Sequence, residues 1–133
     1  MRNLCWITYN GEIYNFLELR NELEGLGHVF HTSTDTEVIV AAYAQWGEQC
    51  QERLNGMWAF AIWNAKTGKL FLSRDRFAEK PLYMLKTIDG EYFGSEVKFI
   101  EKLYNKALTI NRNQILRYLG LGYKSLYKGN ETF

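Results

Sequence analysis

Two apolar runs constrain this chain most. Leu4 to Tyr9 and Met57 to Trp63 are apolar at odd and even positions alike, so both read as strands covered above and below. Helical stripes lie between them. Phe16, Leu19, Leu23 and Leu26 share one face of a helix opened by Asn15 and Glu18, an Asn form of the capping box, and ended at Gly27. Thr34 and Glu37 make a second capping box, opening a helix with Val38, Ile39, Ala42 and Trp46 inward and Gly47 as its stop. Strands buried on both faces with helices on either side predict stacked, mainly antiparallel sheets between helical layers, an α+β architecture.

The remaining elements follow from turn chemistry. His28 to His31 reads as a short strand, and a helical turn is predicted to end near Leu54-Asn55-Gly56. Asn64 to Gly68 joins Met57–Trp63 to a strand over Lys69–Arg74. Leu82–Thr87 and Glu91–Gly94 form a second hairpin around Asp89-Gly90, with short helices after Ser95 and Asn111. Of the 133 residues, 47% are apolar, enough for one domain with a real core. A net charge of +1 without long runs of one sign argues against binding to nucleic acid or a membrane surface by bulk charge. No signal-peptide pattern or membrane span is predicted. Cys5 and Cys50 have no metal spacing and suggest no disulfide scaffold, so a reduced, cytoplasmic setting is expected.

The stretch Tyr9-Asn10-Gly11-Glu12-Ile13-Tyr14-Asn15 carries the chemistry. An amide side chain, a glycine N–H and a carboxylate stand together where a strand is expected to run into a helix. Such a set can donate to a developing oxyanion and accept from a substrate ammonium. No residue nearby is an evident nucleophile. Cys5 lies on the same predicted strand, about 16 Å from Asn10 at strand rise, and reads as a core cysteine. Cys50 has no base near it in sequence and reads as structural. His28 and His31 alone make a weak metal pair, and no metal site is expected.

Those residues resemble a known family. Tyr9–Asn15, Ser33-Thr34-Asp35-Thr36-Glu37, Gly56–Trp63, Arg74-Asp75-Arg76 with Lys80-Pro81-Leu82-Tyr83, Gly94–Lys98 and Tyr118–Tyr123 occur in the order seen in glutamine-hydrolysing asparagine synthases. The resemblance covers essentially all of residues 1–133 and implies part of a class II glutamine amidotransferase domain, an αββα four-layer N-terminal-nucleophile hydrolase. It implies that Asn10 and Gly11 form an oxyanion hole and that Glu12 and Asp35 hold the α-amino group of glutamine. The plain alternative for Asp35 is a carboxylate in a first helical turn, favoured by the helix dipole by about 0.3–1 kcal/mol.

Members of that family begin with Cys-Gly. Several dozen residues then precede the Asn-Gly motif, among them an arginine for the substrate carboxylate. This chain starts a few residues before the motif, so the resemblance implies an incomplete domain without its nucleophile, inactive alone and prone to self-association. It also implies a partner synthase domain that uses ATP and magnesium to adenylate aspartate; no cofactor is expected within these residues. Two alternatives stay open: a non-catalytic glutamine-binding or structural domain, and an amidotransferase for another acceptor, such as a polysaccharide sugar acid. Where the family usually has glycine, this chain has Ala78, beside charged residues that either fix a loop by ion pairs or contact the synthase domain.

Overall fold

Strand β2 (Gly56–Asn64) lies at the centre of a three-stranded antiparallel sheet, between β1 (Cys5–Ile13) and β3 (Lys69–Arg74). The computed structural model describes residues 5–121, which leaves Leu4, Gly122, Tyr123 and the polar C-terminal residues outside. Register runs from Cys5 opposite Asn64 to Ile13 opposite Gly56, and from Ala59 opposite Arg74 to Asn64 opposite Lys69. Asn64 closes the β2–β3 turn, its Oδ1 accepting from the N–H groups of Lys66 at 3.0 Å and Thr67 at 3.2 Å. A second antiparallel pair, β4 (Tyr83–Thr87) and β5 (Gly90–Gly94), forms the other predicted hairpin.

Helices α1 (Phe16–Gly25) and α2 (Asp35–Trp46) cover one face of the larger sheet. Leu19 and Leu23 from α1 and Val38, Ile39 and Ala42 from α2 meet Ile13, Trp58, Phe60 and Ile62 in the core. Fully burying a side chain such as Ile39 or Ile62 contributes about 1.5–3 kcal/mol. Tyr43 stacks on Phe71 at 5.5 Å between ring centroids, and Phe60 meets the same ring edge-on at 5.8 Å. A 3₁₀ segment, Gly47–Arg53, follows α2 and buries Cys50. Packing divides the chain after Ile100, within α3 (Val97–Tyr104); the second unit includes α4 (Arg112–Leu121).

Several elements differ from expectation. Strand β1 is covered on one face only, since Trp6 is 71% exposed while Ile7, Tyr9 and Ile13 turn inward. On that same outer face of the sheet Trp63 and Leu70 are also exposed, although Ala59 and Ala61 are buried. His28–His31 is not a strand. Instead Glu37 organises it, its carboxylate accepting from His31 N–H at 2.9 Å, Thr32 N–H at 2.7 Å and the Thr32 hydroxyl at 2.7 Å. Only half of the α2 capping box forms: Thr34 Oγ1 accepts from Glu37 N–H, while the Glu37 side chain is engaged with residues 31 and 32. Asn15 does not cap α1 through its side chain. It reaches across to the segment before β2, donating to the Arg53 carbonyl at 3.0 Å and accepting from Asn55 N–H at 2.9 Å.

The loop after β3 is built around Asp75, only 5% exposed. Its carboxylate accepts from the N–H groups of Trp58, Phe77, Glu79 and Lys80. Burial alone would raise its pKa; those four donors outweigh burial and hold it below the usual carboxylate range. Arg74 closes the loop, donating to the carbonyls of Lys80 at 2.7 Å and Ala78 at 2.9 Å. Charge thus fixes this loop through backbone groups rather than ion pairs. Ala78 has φ 58, so the position does demand the left-handed region. For an alanine this costs about 1–2 kcal/mol. We expect Ala78→Gly to stabilise the protein by about 1 kcal/mol, after glycine's greater entropy loss on folding is deducted. Denaturant midpoints at unchanged m-value check it; an unchanged or lower midpoint contradicts the strain.

Candidate functional site

Asn10, Gly11 and Glu12 lie within β1 rather than on a turn, because the strand continues to Ile13. They pair with Ala59, Trp58 and Met57 respectively. Side chains therefore alternate, and Asn10 and Glu12 project from the outer face, both exposed, opposite the helices.

Backbone direction follows from Trp58, whose carbonyl accepts from Asp75 N–H at 2.9 Å and whose N–H donates to the Asp75 carboxylate at 3.3 Å. Both polar groups of Trp58 thus point away from β1, which makes Gly11–Trp58 a non-hydrogen-bonded pair. The Gly11 N–H consequently faces the outer edge of β1, an edge strand among the described residues. Close approach explains the glycine. A Cβ there would overlap the Met57 carbonyl oxygen and come within 2.8 Å of Trp58 Cα and 2.9 Å of Tyr9 Cε2. Gly56 meets the same restriction across the ladder, against the Glu12 carbonyl.

Asp35 approaches this edge from the first turn of α2. Its Oδ2 accepts from Ile13 N–H at 3.1 Å and from the Tyr9 hydroxyl at 2.7 Å. Along the strand, Gly11 and Ile13 are one two-residue step apart, about 6.8 Å. The Tyr9 phenol has its pKa pushed well up, first by burial, then by the Asp35 hydrogen bond and the nearby charges of Asp35 and Glu12. Glu12 is thus near enough to act electrostatically on the hydroxyl that Asp35 holds. One end of β1 gathers all four predicted residues: two from its outer face and backbone edge, one beside them, and one from α2.

The cysteines lie elsewhere. Cys50 is fully buried, and burial pushes its thiol up to about 11 despite lowering by backbone hydrogen bonds at Gln51 and Cys50. Cys5, at the start of β1, has its pKa raised by burial. It is five residues from Asn10 along one continuous strand, so it cannot fold back onto that side chain. The His28 ring Nε2 lies 2.9 Å from Gln45 Oε1. Among the described residues no group of three or more His, Cys, Asp or Glu side chains could hold a metal ion. No helix there is long and apolar enough to cross a membrane.

The family model described as "Glutamine amidotransferase domain" matches residues 1–131. The chain belongs to this family. The amidotransferase domain is 42% identical over 118 residues to asparagine synthetase [glutamine-hydrolyzing] 1 of Bacillus subtilis, covering 89% of this chain and 18% of that protein. Putative asparagine synthetase [glutamine-hydrolyzing] 2 of Methanocaldococcus jannaschii is 43% identical over 128 residues, 92% of this chain and 24% of that protein. The domain therefore spans a quarter or less of these relatives. Among solved structures, glutamine phosphoribosylpyrophosphate amidotransferase from B. subtilis, complexed with ADP and GMP, superposes with a TM-score of 0.64 at 23% identity. That match covers 79% of this chain and 24% of the other. The mixed α/β, antiparallel-sheet fold is thus shared with that amidotransferase.

Sequence reasoning missed the groups that hold the site from behind. Tyr9 counted only as part of the motif, yet its hydroxyl reaches Asp35. Trp58 Nε1 donates to Ser73 Oγ at 3.0 Å, and Ser73 donates to Gln51 Oε1 at 3.0 Å, linking β2, β3 and the 3₁₀ segment. Asp75 fixes the Trp58 backbone and so the ladder opposite Gly11. A polar residue in an otherwise apolar run was the available signal for Ser73; nothing local named its partners.

Proposed function

We propose that this chain is the substrate-holding part of a glutaminase that releases ammonia from the side-chain amide of glutamine. The observation that carries it is one strand edge: the outward Gly11 N–H lies a two-residue step from the carboxylate fixed at Ile13, a span comparable with extended glutamine from its side-chain amide to its α-nitrogen. A carbonyl oxygen at the corner between that edge and the outer face takes both the Asn10 amide and the Gly11 N–H, while Glu12 and Asp35 accept from the ammonium. The attacking cysteine lies outside the described residues in this reading, since Cys5 and Cys50 are both misplaced for attack. The ammonia passes to a synthase domain, also outside them, where ATP and magnesium activate aspartate as its adenylate. The identity to asparagine synthetases supports aspartate as acceptor.

Glutamine-dependent ammonia release by the intact protein tests the site. Glu12→Gln is expected to raise the KM for glutamine about tenfold with kcat nearly unchanged, as loss of uniform substrate binding does. An unchanged KM would remove Glu12 from the site.

A further inference from the structure

We propose that Tyr9 is a positioning residue of the glutamine site, its hydroxyl turning the Asp35 carboxylate so that Oδ1 faces the substrate ammonium. This rests on the assignment of Asp35 to that ammonium. Both protein hydrogen bonds to Asp35 converge on one oxygen, Oδ2, from the Tyr9 hydroxyl and from Ile13 N–H. Among the described residues Oδ1 takes no protein donor, and no buried side-chain oxygen is left unsatisfied, so Oδ1 is open to solvent and free to accept from a ligand. A carboxylate at the start of a helix can turn about two side-chain torsions. Two donors on a single oxygen remove that freedom before substrate arrives, and preorganisation of this kind lowers the cost of binding.

The tyrosine is well suited to this. Its ring lies against Gly11 on the inner face, close enough that a Cβ at Gly11 would come within 2.9 Å of Cε2. One side chain therefore both abuts the edge that presents the Gly11 N–H and holds the carboxylate one step along it. Its hydroxyl stays protonated throughout the working pH range and always donates, because burial and the adjacent carboxylates disfavour the phenolate. The competing role is purely structural, a tie between α2 and β1, but Ile13 N–H already supplies such a tie.

Tyr9→Phe keeps the ring against Gly11 and removes only the hydroxyl. In the intact protein, ammonia release gives the KM for glutamine. Competition by the analogue with hydrogen in place of the α-amino group gives a Ki that needs no ammonium contact. Tyr9→Phe is expected to raise the KM about tenfold, with kcat within about twofold and the Ki unchanged. In an Asp35→Asn background it is expected to add nothing further, because both substitutions remove one interaction. Equal losses for glutamine and analogue, or additive losses in the double variant, overturn the positioning role. An Asp35→Asn protein with raised KM beside a Tyr9→Phe protein with normal KM overturns Tyr9 alone. A normal KM in Asp35→Asn overturns the assignment of Asp35 and with it this inference.

Discussion

Gly11→Ala should unfold this end of the sheet, whatever it does to catalysis. The added methyl group would overlap the Met57 carbonyl oxygen and press on Trp58 Cα and the Tyr9 ring. Neither neighbour can move cheaply. Trp58 is held on its other side by Asp75 through N–H and carbonyl alike, and Tyr9 is held by Asp35. Overpacking commonly costs 1–3 kcal/mol where side chains can adjust, and here the obstacle is backbone. We expect a loss of about 3 kcal/mol or more, seen as a lower denaturant midpoint and faster exchange of the amides of Ile7 to Ile13. A Gly11→Ala protein of native stability would mean that β1 does not pair with β2 in this register. The glycine of the motif thus has a steric duty independent of the proposed chemical one.

How much of this was legible beforehand depended on whether the controlling contact was local. The apolar stripe of α2, the stop at Gly47 and both hairpins are set by residues within a few positions of one another and appear where the sequence places them; the α1 stripe holds for Phe16, Leu19 and Leu23, but Leu26 lies just past the helix end and is 52% exposed. Trp6 shows where such reasoning fails. Hydropathy alone made β1 covered on both sides, whereas alternation relative to the helices leaves Trp6 outside. Asn15 shows a second failure. Its position before α1 suits a cap, but the backbone groups of Arg53 and Asn55, about forty residues away, compete for the same amide and win. The proposed site residues Asn10, Gly11, Glu12 and Asp35 were named by motif. Their arrangement was not, because it depends on which side of β1 points toward β2, and that is decided by Asp75 on the far side of Trp58.

Asn10→Ala should have the opposite signature to Gly11→Ala, with activity lost and stability kept. Asn10 is exposed on the outer face and its side chain makes no hydrogen bond among the described residues, so nothing in the fold depends on it. Surface substitutions of this kind stay within about 0.5 kcal/mol. Removing one donor from an oxyanion hole, by contrast, lowers kcat by about 10²–10³, or roughly 2.7–4 kcal/mol of barrier. Glutamine KM should change little, because the donor acts on charge that develops only in the transition state. Glutamine hydrolysis and denaturant unfolding, measured on the same preparation of the intact protein, separate the two effects. Loss of stability in parallel with activity would make Asn10 a structural residue. Retained activity would move the oxyanion to other donors, and the outer face of β1 would then lose its place in the chemistry, with Glu12 falling back to an exposed strand carboxylate.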